Sequence, residues 1–331
     1  MNVTVLVDEW TIPSGDPEFT RQPPKPMTEF HVIDALRSLG HSVRTVGVSS
    51  DIAALVHHLT SQPVDLVFNL TEQIDGDRLM DKNIAALLEM MGIAFTGAGP
   101  MGLMLSRDKR LCKELLSLHK IRVPRFVSLP IGRKVRIPKT VKYPLVVKPA
   151  LEDGSEGISN ASLVMNEKAL LERVEFVHTS WRQPVIAEEY IDGREYYVGV
   201  LGNARLTVLP LRECKLNAGA QDGPQLATYM VKWNAKYREK WNIVFDFAEL
   251  DDETIRRIER TCKKVYRILH MRDYARIDLR VTPEGRLVIL EANPNPDLAY
   301  GEEVAEAAEK RGISYEALID RIIRSALRRY R

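Results

Sequence analysis

Cysteine is scarce in this sequence, and its three copies are scattered. Cys112, Cys214 and Cys262 lie far apart and are odd in number, which provides neither a disulfide framework nor a zinc knuckle. Buried free thiols in a reducing compartment are the expectation. No stretch approaches the ~20 apolar residues of a membrane span. Met1-Asn2-Val3-Thr4 runs straight into a strand pattern with no signal peptide visible. Neither sign of charge dominates, because 47 Lys and Arg against 45 Asp and Glu leave a net charge of +2. That balance argues against a nucleic-acid partner held by bulk charge. The seven histidines show no metal-ligand spacing, and no Gly-x-Ser-x-Gly elbow or comparable nucleophile context occurs. There is no internal repeat and no low-complexity tract. The absences describe a cytoplasmic chain with no membrane and no nucleic acid among its partners.

What is present is globular. The 331 residues are 45% hydrophobic and 28% charged, the mix of a soluble protein, with length for roughly two to three domains. The first hundred residues alternate strand and helix signals: strands at 3–7, 43–48, 64–68 and 93–96, helices at 28–39, 52–59 and 83–91. Such alternation predicts a parallel sheet with covered faces, whose ligands bind beyond the carboxyl ends of the strands. A long loop with Pro13, Pro17, Pro23, Pro24 and Pro26 follows the first strand, and loops of that length are functional or mobile. From residue 101 the pattern becomes α+β. A helix is predicted over 107–118, a strand over 142–148, a hairpin over 185–201 with its turn at Asp192-Gly193, a helix over 253–269 and a closing helix over 315–329. The predicted units are a Rossmann-like domain at 1–100, a small subdomain at 101–186 and a larger one at 187–331.

The most informative segment is 274–297. Residues 275–281 alternate as a strand with Arg276, Asp278 and Arg280 on one face, and 287–293 form a second strand with Glu291 and Asn293 on one face. A four-residue loop, Pro283-Glu284-Gly285-Arg286, sets Asp278 opposite Glu291 and Arg276 opposite Asn293. A three- or five-residue loop would put them on opposite faces. Two opposed carboxylates repel unless a cation lies between them, and with Asn293 they offer hard oxygen ligands suited to Mg2+. Arg276 beside such an ion would meet a phosphate. A solvated hairpin face with ordinary cross-strand charges gives the same pattern. Lys148, inside the apolar run 145–149, needs an anionic partner. Five residues later, Asp153-Gly154-Ser155-Glu156-Gly157 supplies glycines that let amides approach phosphate oxygens. It matches neither the Walker pattern nor the dinucleotide fingerprint, so a plain turn remains open. Glu188, Glu189 and Glu195 flank the hairpin turn and suit either a nucleoside's amino and hydroxyl groups or an edge strand's surface.

In this order the segments resemble the ATP-grasp superfamily, and within it the D-alanine–D-alanine ligase group. The resemblance rests on Ser106-Arg107-Asp108-Lys109, Val146-Val147-Lys148-Pro149, the loop 153–157, Ala187-Glu188-Glu189-Tyr190-Ile191-Asp192-Gly193-Arg194-Glu195, Ala275-Arg276-Ile277-Asp278 and Leu290-Glu291-Ala292-Asn293-Pro294. It implies an ATP-grasp fold: the Rossmann-like sheet, then two α+β subdomains that clasp ATP. It implies that Lys109 and Lys148 hold ATP phosphates under the loop with Gly154, Ser155 and Gly157. Glu188 and the backbone of Glu189 and Ile191 would bind adenine, and Glu195 the ribose. Asp278, Glu291 and Asn293 would hold Mg2+, with two ions expected and Mn2+ as a substitute. Arg276 would stabilise the transferring phosphoryl group. Lys232 looks like the lysine of the capping loop, with Lys236 its rival. The implied reaction joins a carboxylate to an amine through an acyl phosphate, releases ADP and needs no protein nucleophile. Relatives of this kind are often homodimers, which a net charge of +2 does not oppose.

The substrate half departs from the family pattern. Asp8-Glu9-Trp10-Thr11 and Asn69-Leu70-Thr71-Glu72 replace its Glu-Arg-Glu and His-Gly motifs. Glu302, beside Glu303, stands where the family has a carboxylate-binding serine, and Asp297 where it has a glycine. Glu9, Glu72, Asp297 and Glu302 are therefore the expected substrate-pocket residues, and amino acids or small carboxylates the expected substrates. Four readings fit: a dipeptide-type ligase with another acceptor, a D-alanine–D-alanine ligase with a diverged pocket, a non-catalytic ATP-binding module, and a kinase-like relative that phosphorylates a hydroxyl or carboxylate and stops.

Overall fold

The computed structural model describes residues 1–12, 28–216 and 225–330. The Pro-rich stretch after the first strand lies outside the described residues. Strands β1 (Asn2–Asp8), β2 (Ser42–Val48) and β3 (Leu66–Asn69) alternate with helices α1 (Thr28–Ser38), α2 (Ile52–Thr60) and α3 (Asp81–Met90). The strands form a parallel sheet in the order β2-β1-β3. The predicted strand at 93–96 is reduced to one bridge between Val67 and Phe95. β3 is buried throughout, as a strand covered on both faces must be.

The helix predicted over 107–118 is α5 (Lys109–Leu118), preceded by a separate helix, α4 (Pro100–Arg107). Asp108 divides them: its ψ of 98° leaves the helical region, and its carboxylate accepts from Arg110 and Leu111 N–H groups, the bonds of an N-cap. The break turns Lys109 inward. Strands β4 (Phe126–Leu129), β5 (Leu145–Pro149) and β6 (Leu163–Val164), helix α6 (Glu167–Trp181) and strand β7 (Val185–Glu189) follow. They make an antiparallel sheet in the order β4-β7-β5-β6. The strand expected from 142 starts at Leu145, directly after Pro144, which has no N–H for a ladder. The expected subdomain boundary at 186 falls inside β7.

Strands β8 (Arg194–Leu201), β9 (Thr207–Val208) and β10 (Arg212–Lys215), helices α7 (Tyr229–Trp233) and α8 (Ala235–Trp241), strand β11 (Val244–Phe247), helix α9 (Asp252–Ile268) and strands β12 (Tyr274–Val281) and β13 (Leu287–Pro294) build the third sheet. Its order is β11-β10-β8-β12-β13, with β9 beside β8. Ile258, Cys262 and Val265 of α9 pack on Ile277 and Leu279 of β12. Helices α10 (Glu303–Lys310) and α11 (Tyr315–Leu327) close the chain. Leu318, Ile319 and Ile322 of α11 pack with Val5 and Val32 of the first sheet and α1. The carboxyl-terminal helix thus completes the core of the amino-terminal unit. All three cysteines are free and buried. No helix among the described residues is long and apolar enough to cross a membrane.

Candidate active site

The β12–β13 pair carries the centre of the site. Arg276 pairs with Asn293 and Asp278 with Glu291, as the sequence predicts, but the four-residue loop behind that prediction is not there. Val281 pairs with Leu287, and the Thr282 N–H donates to Arg286 O at 3.0 Å. This odd connection would turn Glu291 away from Asp278. A β-bulge at Leu290 restores the phase: Asp278 faces Glu291 and the next residue, Leu279, faces Ile289. An extra residue in one strand swaps the faces beyond it. Ile289 and Ala292, three apart, both enter the core, while Leu290 and Glu291 both line a cavity.

Every charged group on this face is paired. Arg276 Nε lies 2.8 Å from Asp278 Oδ1, and its NH1 lies 3.0 Å from Glu303 Oε2. Asn293 Nδ2 donates to Asp278 Oδ2 at 3.2 Å. Lys232 Nζ lies 3.8 Å from Asp278 Oδ2, and both Lys232 and Arg276 stand over the Tyr197 ring. Lys109 Nζ lies 2.6 Å from Glu291 Oε1. Burial works against the charge on Glu291, but Lys109, Lys148 and Lys232 outweigh it and hold the carboxyl well below its usual range. Burial raises the Asp278 carboxyl, and Arg276 and Lys232 oppose that rise. Lys232 therefore occupies the site, whereas Lys236 is exposed on α8.

Lys148 Nζ lies 2.5 Å from Glu188 Oε1, and Lys113 Nζ 3.1 Å from Glu188 Oε2. Both lysines and the glutamate are buried. Lys113 is a residue that sequence reasoning missed, since its position on α5 is simply that of a core-facing residue. Glu195 Oε2 meets Arg280 at 2.9 Å and its Oε1 accepts from Tyr197 Oη at 2.9 Å. Arg280 NH1 also donates to Ile191 O. Glu189 Oε1 accepts from the Lys142 N–H at 2.9 Å. In the glycine loop Gly154, Ser155 and Gly157 all have positive φ. Ser155 Oγ donates to Ala227 O at 2.9 Å, and Trp233 Nε1 to Gly154 O at 3.0 Å. The loop is thereby fastened to the segment that carries Lys232.

A cavity of about 330 Å3 adjoins this face, lined by Arg276, Lys232 and Glu291 on one side and Glu72, Asp297 and Glu302 on the other. Asp297 accepts from Thr28 Oγ1 and the Ala299 N–H. Arg78 NH1 lies 3.3 Å from Glu72 and 2.7 Å from Asp153. Glu302 is the N-cap residue of α10 and makes no side-chain cap bond. Burial, with Glu303 and Asp297 nearby, pushes its carboxyl up to about 7. Glu9 does not join the others: it is exposed in a short turn after β1. Asp8 is the buried neighbour, accepting from the Glu72 N–H at 3.0 Å. Glu29 of α1 lines an adjoining cavity with Glu72 and Asp297, which no motif in the sequence signals.

Among the described residues no three His, Cys, Asp or Glu side chains gather as a metal site. The expected set nevertheless fits Mg2+. Asp278 is buried and Glu291 half-buried opposite it, with Asn293 beside them, and carboxylate and amide oxygens are the donors a hard cation takes.

Comparisons with known proteins bear on the family and the fold. A family model described as D-ala D-ala ligase C-terminus matches residues 121–324. An uncharacterized protein of Sinorhizobium fredii is 32% identical over 93% of this chain and 91% of its own length. The D-alanine–D-alanine ligase of Fervidobacterium nodosum is 27% identical over 90% of this chain and 92% of its own. Among solved structures, D-alanine–D-alanine ligase of Bacillus anthracis complexed with ATP superposes with a TM-score of 0.77 at 20% identity, covering 100% of this chain and 98% of that one. The D-Ala:D-Ser ligase VanG of Enterococcus faecalis gives 0.72 at 20% identity, covering 98% and 99%. The fold is the ATP-grasp fold of these ligases, and the chain belongs to the D-alanine–D-alanine ligase family.

Proposed function

We propose that the protein is an ATP-dependent, ADP-forming ligase that joins a small carboxylic acid to an amine. The observation that carries this reading is the convergence of Lys109, Lys148, Lys232 and Arg276 on the opposed carboxylates Asp278 and Glu291. Lys109 and Lys148 bind the phosphates. Glu195 takes the ribose hydroxyls, and the backbone of Glu189 and Ile191 the base. Glu188 supports the site by fixing Lys148, whose ammonium lies 2.5 Å from its Oε1. Asp278, Glu291 and Asn293 would hold Mg2+, which neutralises charge on phosphoryl oxygens when bound. The carboxylate substrate attacks the terminal phosphorus of ATP and ADP leaves. The amine then attacks the acyl carbon of the acyl phosphate and expels inorganic phosphate. Arg276 offsets charge at the phosphoryl group, and Lys232 with the 153–157 loop excludes water. A small-molecule reaction in the cytoplasm is the setting this reading gives the protein.

The acceptor differs from D-alanine on this reading. Glu302 and Asp297 line the cavity beyond Arg276, and Arg276 is itself held by Asp278 and Glu303. A carboxylate wall repels a substrate carboxylate and favours an ammonium group. The test is ADP release from Mg-ATP with D-alanine, then with amino acids, diamines and small carboxylic acids, singly and in pairs. Turnover confined to a pair whose acceptor carries a second ammonium supports the reading. A dimer of D-alanine by mass spectrometry overturns the acceptor assignment, and tight ATP binding without turnover across the panel overturns the ligase assignment.

A further inference from the structure

Lys113 is among the most deeply buried ionisable side chains of the protein, 2% exposed, and nothing in the reaction proposed above uses it. It projects from the middle of α5. Its ammonium donates to the main-chain carbonyl of Leu290 at 2.6 Å and lies 3.1 Å from Glu188 Oε2. Leu290 is the extra residue of the bulge in β13. A bulge leaves part of the strand ladder unpaired, and a buried carbonyl without a partner is costly. A lysine that gives up hydration to reach such a carbonyl does so only where geometry compensates it.

The bulge decides where the reactive face points. From Val281 and Leu287 the pairing runs Arg280 with Val288 and Leu279 with Ile289. Continued without interruption, that register sets Leu290 opposite Asp278 and sends Glu291 inward with Ile289, into the core that α9 covers. With the bulge, Glu291 faces Asp278 and Asn293 faces Arg276. One strand residue out of step therefore separates a working face from a carboxylate buried among apolar side chains.

We propose that Lys113 is a positioning residue that locks the Leu290 bulge, and through it the placement of Glu291 and Asn293 opposite Asp278 and Arg276. It touches no reacting atom. Its second contact, to Glu188, ties the same lock to Lys148, so one buried ammonium sets both the strand phase and the phosphate-facing lysine. The assignment of a nucleotide and metal to that face rests on the function proposed above; the effect on strand phase does not.

The test compares Lys113→Met with Glu188→Gln by hydrogen exchange and by Mn2+–ATP binding, followed through the spectrum of free Mn2+. Lys113→Met is expected to speed exchange across 288–292 about ten- to hundredfold relative to β12, the range set by losing a charge-assisted bond to a buried carbonyl. It is also expected to weaken Mn2+–ATP binding by at least about tenfold. Glu188→Gln keeps the Leu290 contact and is expected to leave exchange across 288–292 in step with β12. Wild-type exchange in Lys113→Met overturns the proposal, and so does the same local rise in Glu188→Gln. If wild type binds no Mn2+–ATP while Lys113→Met still loosens 288–292, the nucleotide reading fails and the positioning role stands. Should Lys113→Met not fold, Lys113→Gln is measured in its place, and unchanged exchange together with unchanged affinity there overturns the proposal.

Discussion

Lys148 Nζ and Glu188 Oε1 meet at 2.5 Å, diagonally across the β5–β7 pair. The glutamate's other oxygen is 3.1 Å from Lys113, so two buried ammonium groups share one carboxylate. Burial opposes the charge on Glu188, yet Lys113 and Lys148 hold its carboxyl below the usual range. Burial also opposes the charge on Lys148, and Glu188 and Glu291 outweigh it.

The pairing makes Glu188→Gln informative. Removing one member of a buried ion pair leaves the other uncompensated and costs about 3–5 kcal/mol. Denaturant unfolding of the apo variant should show a loss near the lower end, because the amide still accepts a hydrogen bond. If Lys148 meets the phosphates of a nucleotide as proposed, saturating Mg-ATP should narrow the gap between variant and wild type. A gap unchanged by nucleotide would remove Lys148 from the phosphate site.

Asp278→Asn and Glu291→Gln should each lower ADP release by about a hundredfold or more, the scale set by losing one charge-stabilising group at a reacting centre. Far-UV circular dichroism should be unchanged, since Asp278 and Glu291 contribute to strand pairing through their backbones. Normal turnover in either variant would dismiss the metal assignment.

A third prediction concerns the joint between the sheets. Asp273 is 1% exposed and accepts from the Gly97 N–H at 2.8 Å, from Asn203 Nδ2 at 2.8 Å and from Arg329. Arg329 also donates to Phe95 O at 2.7 Å. The chain's last turn thereby ties the loop before α4 to the strand bearing Arg276. Arg329→Ala should cost about 3 kcal/mol, the low end for unpairing a buried charge, because the two neutral donors remain. Urea unfolding measures it, and a loss below about 0.5 kcal/mol, the level of an ordinary surface substitution, would make the contact incidental.

Much of this site is legible from residue types alone. A lysine in the apolar run 145–149 requires an anion, and Glu188 supplies it. Alternation over 275–281 places Arg276, Asp278 and Arg280 together, because strand periodicity is local. The Asp278–Glu291 pairing was expected for an incorrect reason: the assumed loop and the unseen bulge each shift the register by one residue, and the shifts cancel. A bulge at Leu290 has no marker such as glycine; it is held by Lys113 from another element, which periodicity does not register. Glu303 and Glu29 enter the site through α10 and α1, brought there by the packing of α11 on the first sheet. Glu9 lies one residue past the buried Asp8, and alternation does not say where β1 ends.

The last prediction uses Glu302. Its carboxyl is pushed from 4.5 up to about 7 by burial and by Glu303 and Asp297. Between those values the native state binds more protons than the unfolded state, so this group makes stability fall as pH rises through the interval. A carboxyl with a lowered pKa would act in the opposite direction. Glu302→Gln removes the titration while keeping size and polarity. Its melting temperature should match wild type near pH 4 and exceed it increasingly up to pH 8. Shifts from Glu29 and Asp8, also raised by burial, persist in both proteins and cancel in the difference. The comparison also bears on the acceptor. An ammonium group bound at Glu302 favours the ionised carboxylate, so at pH 6 a diamine should displace a proton on binding wild type but not the variant. Calorimetry in buffers of different ionisation heat separates the two. A melting difference flat from pH 4 to 8 would mean that water, not neighbouring carboxylates, sets the state of Glu302, and the case for an ammonium-bearing acceptor would fall with it.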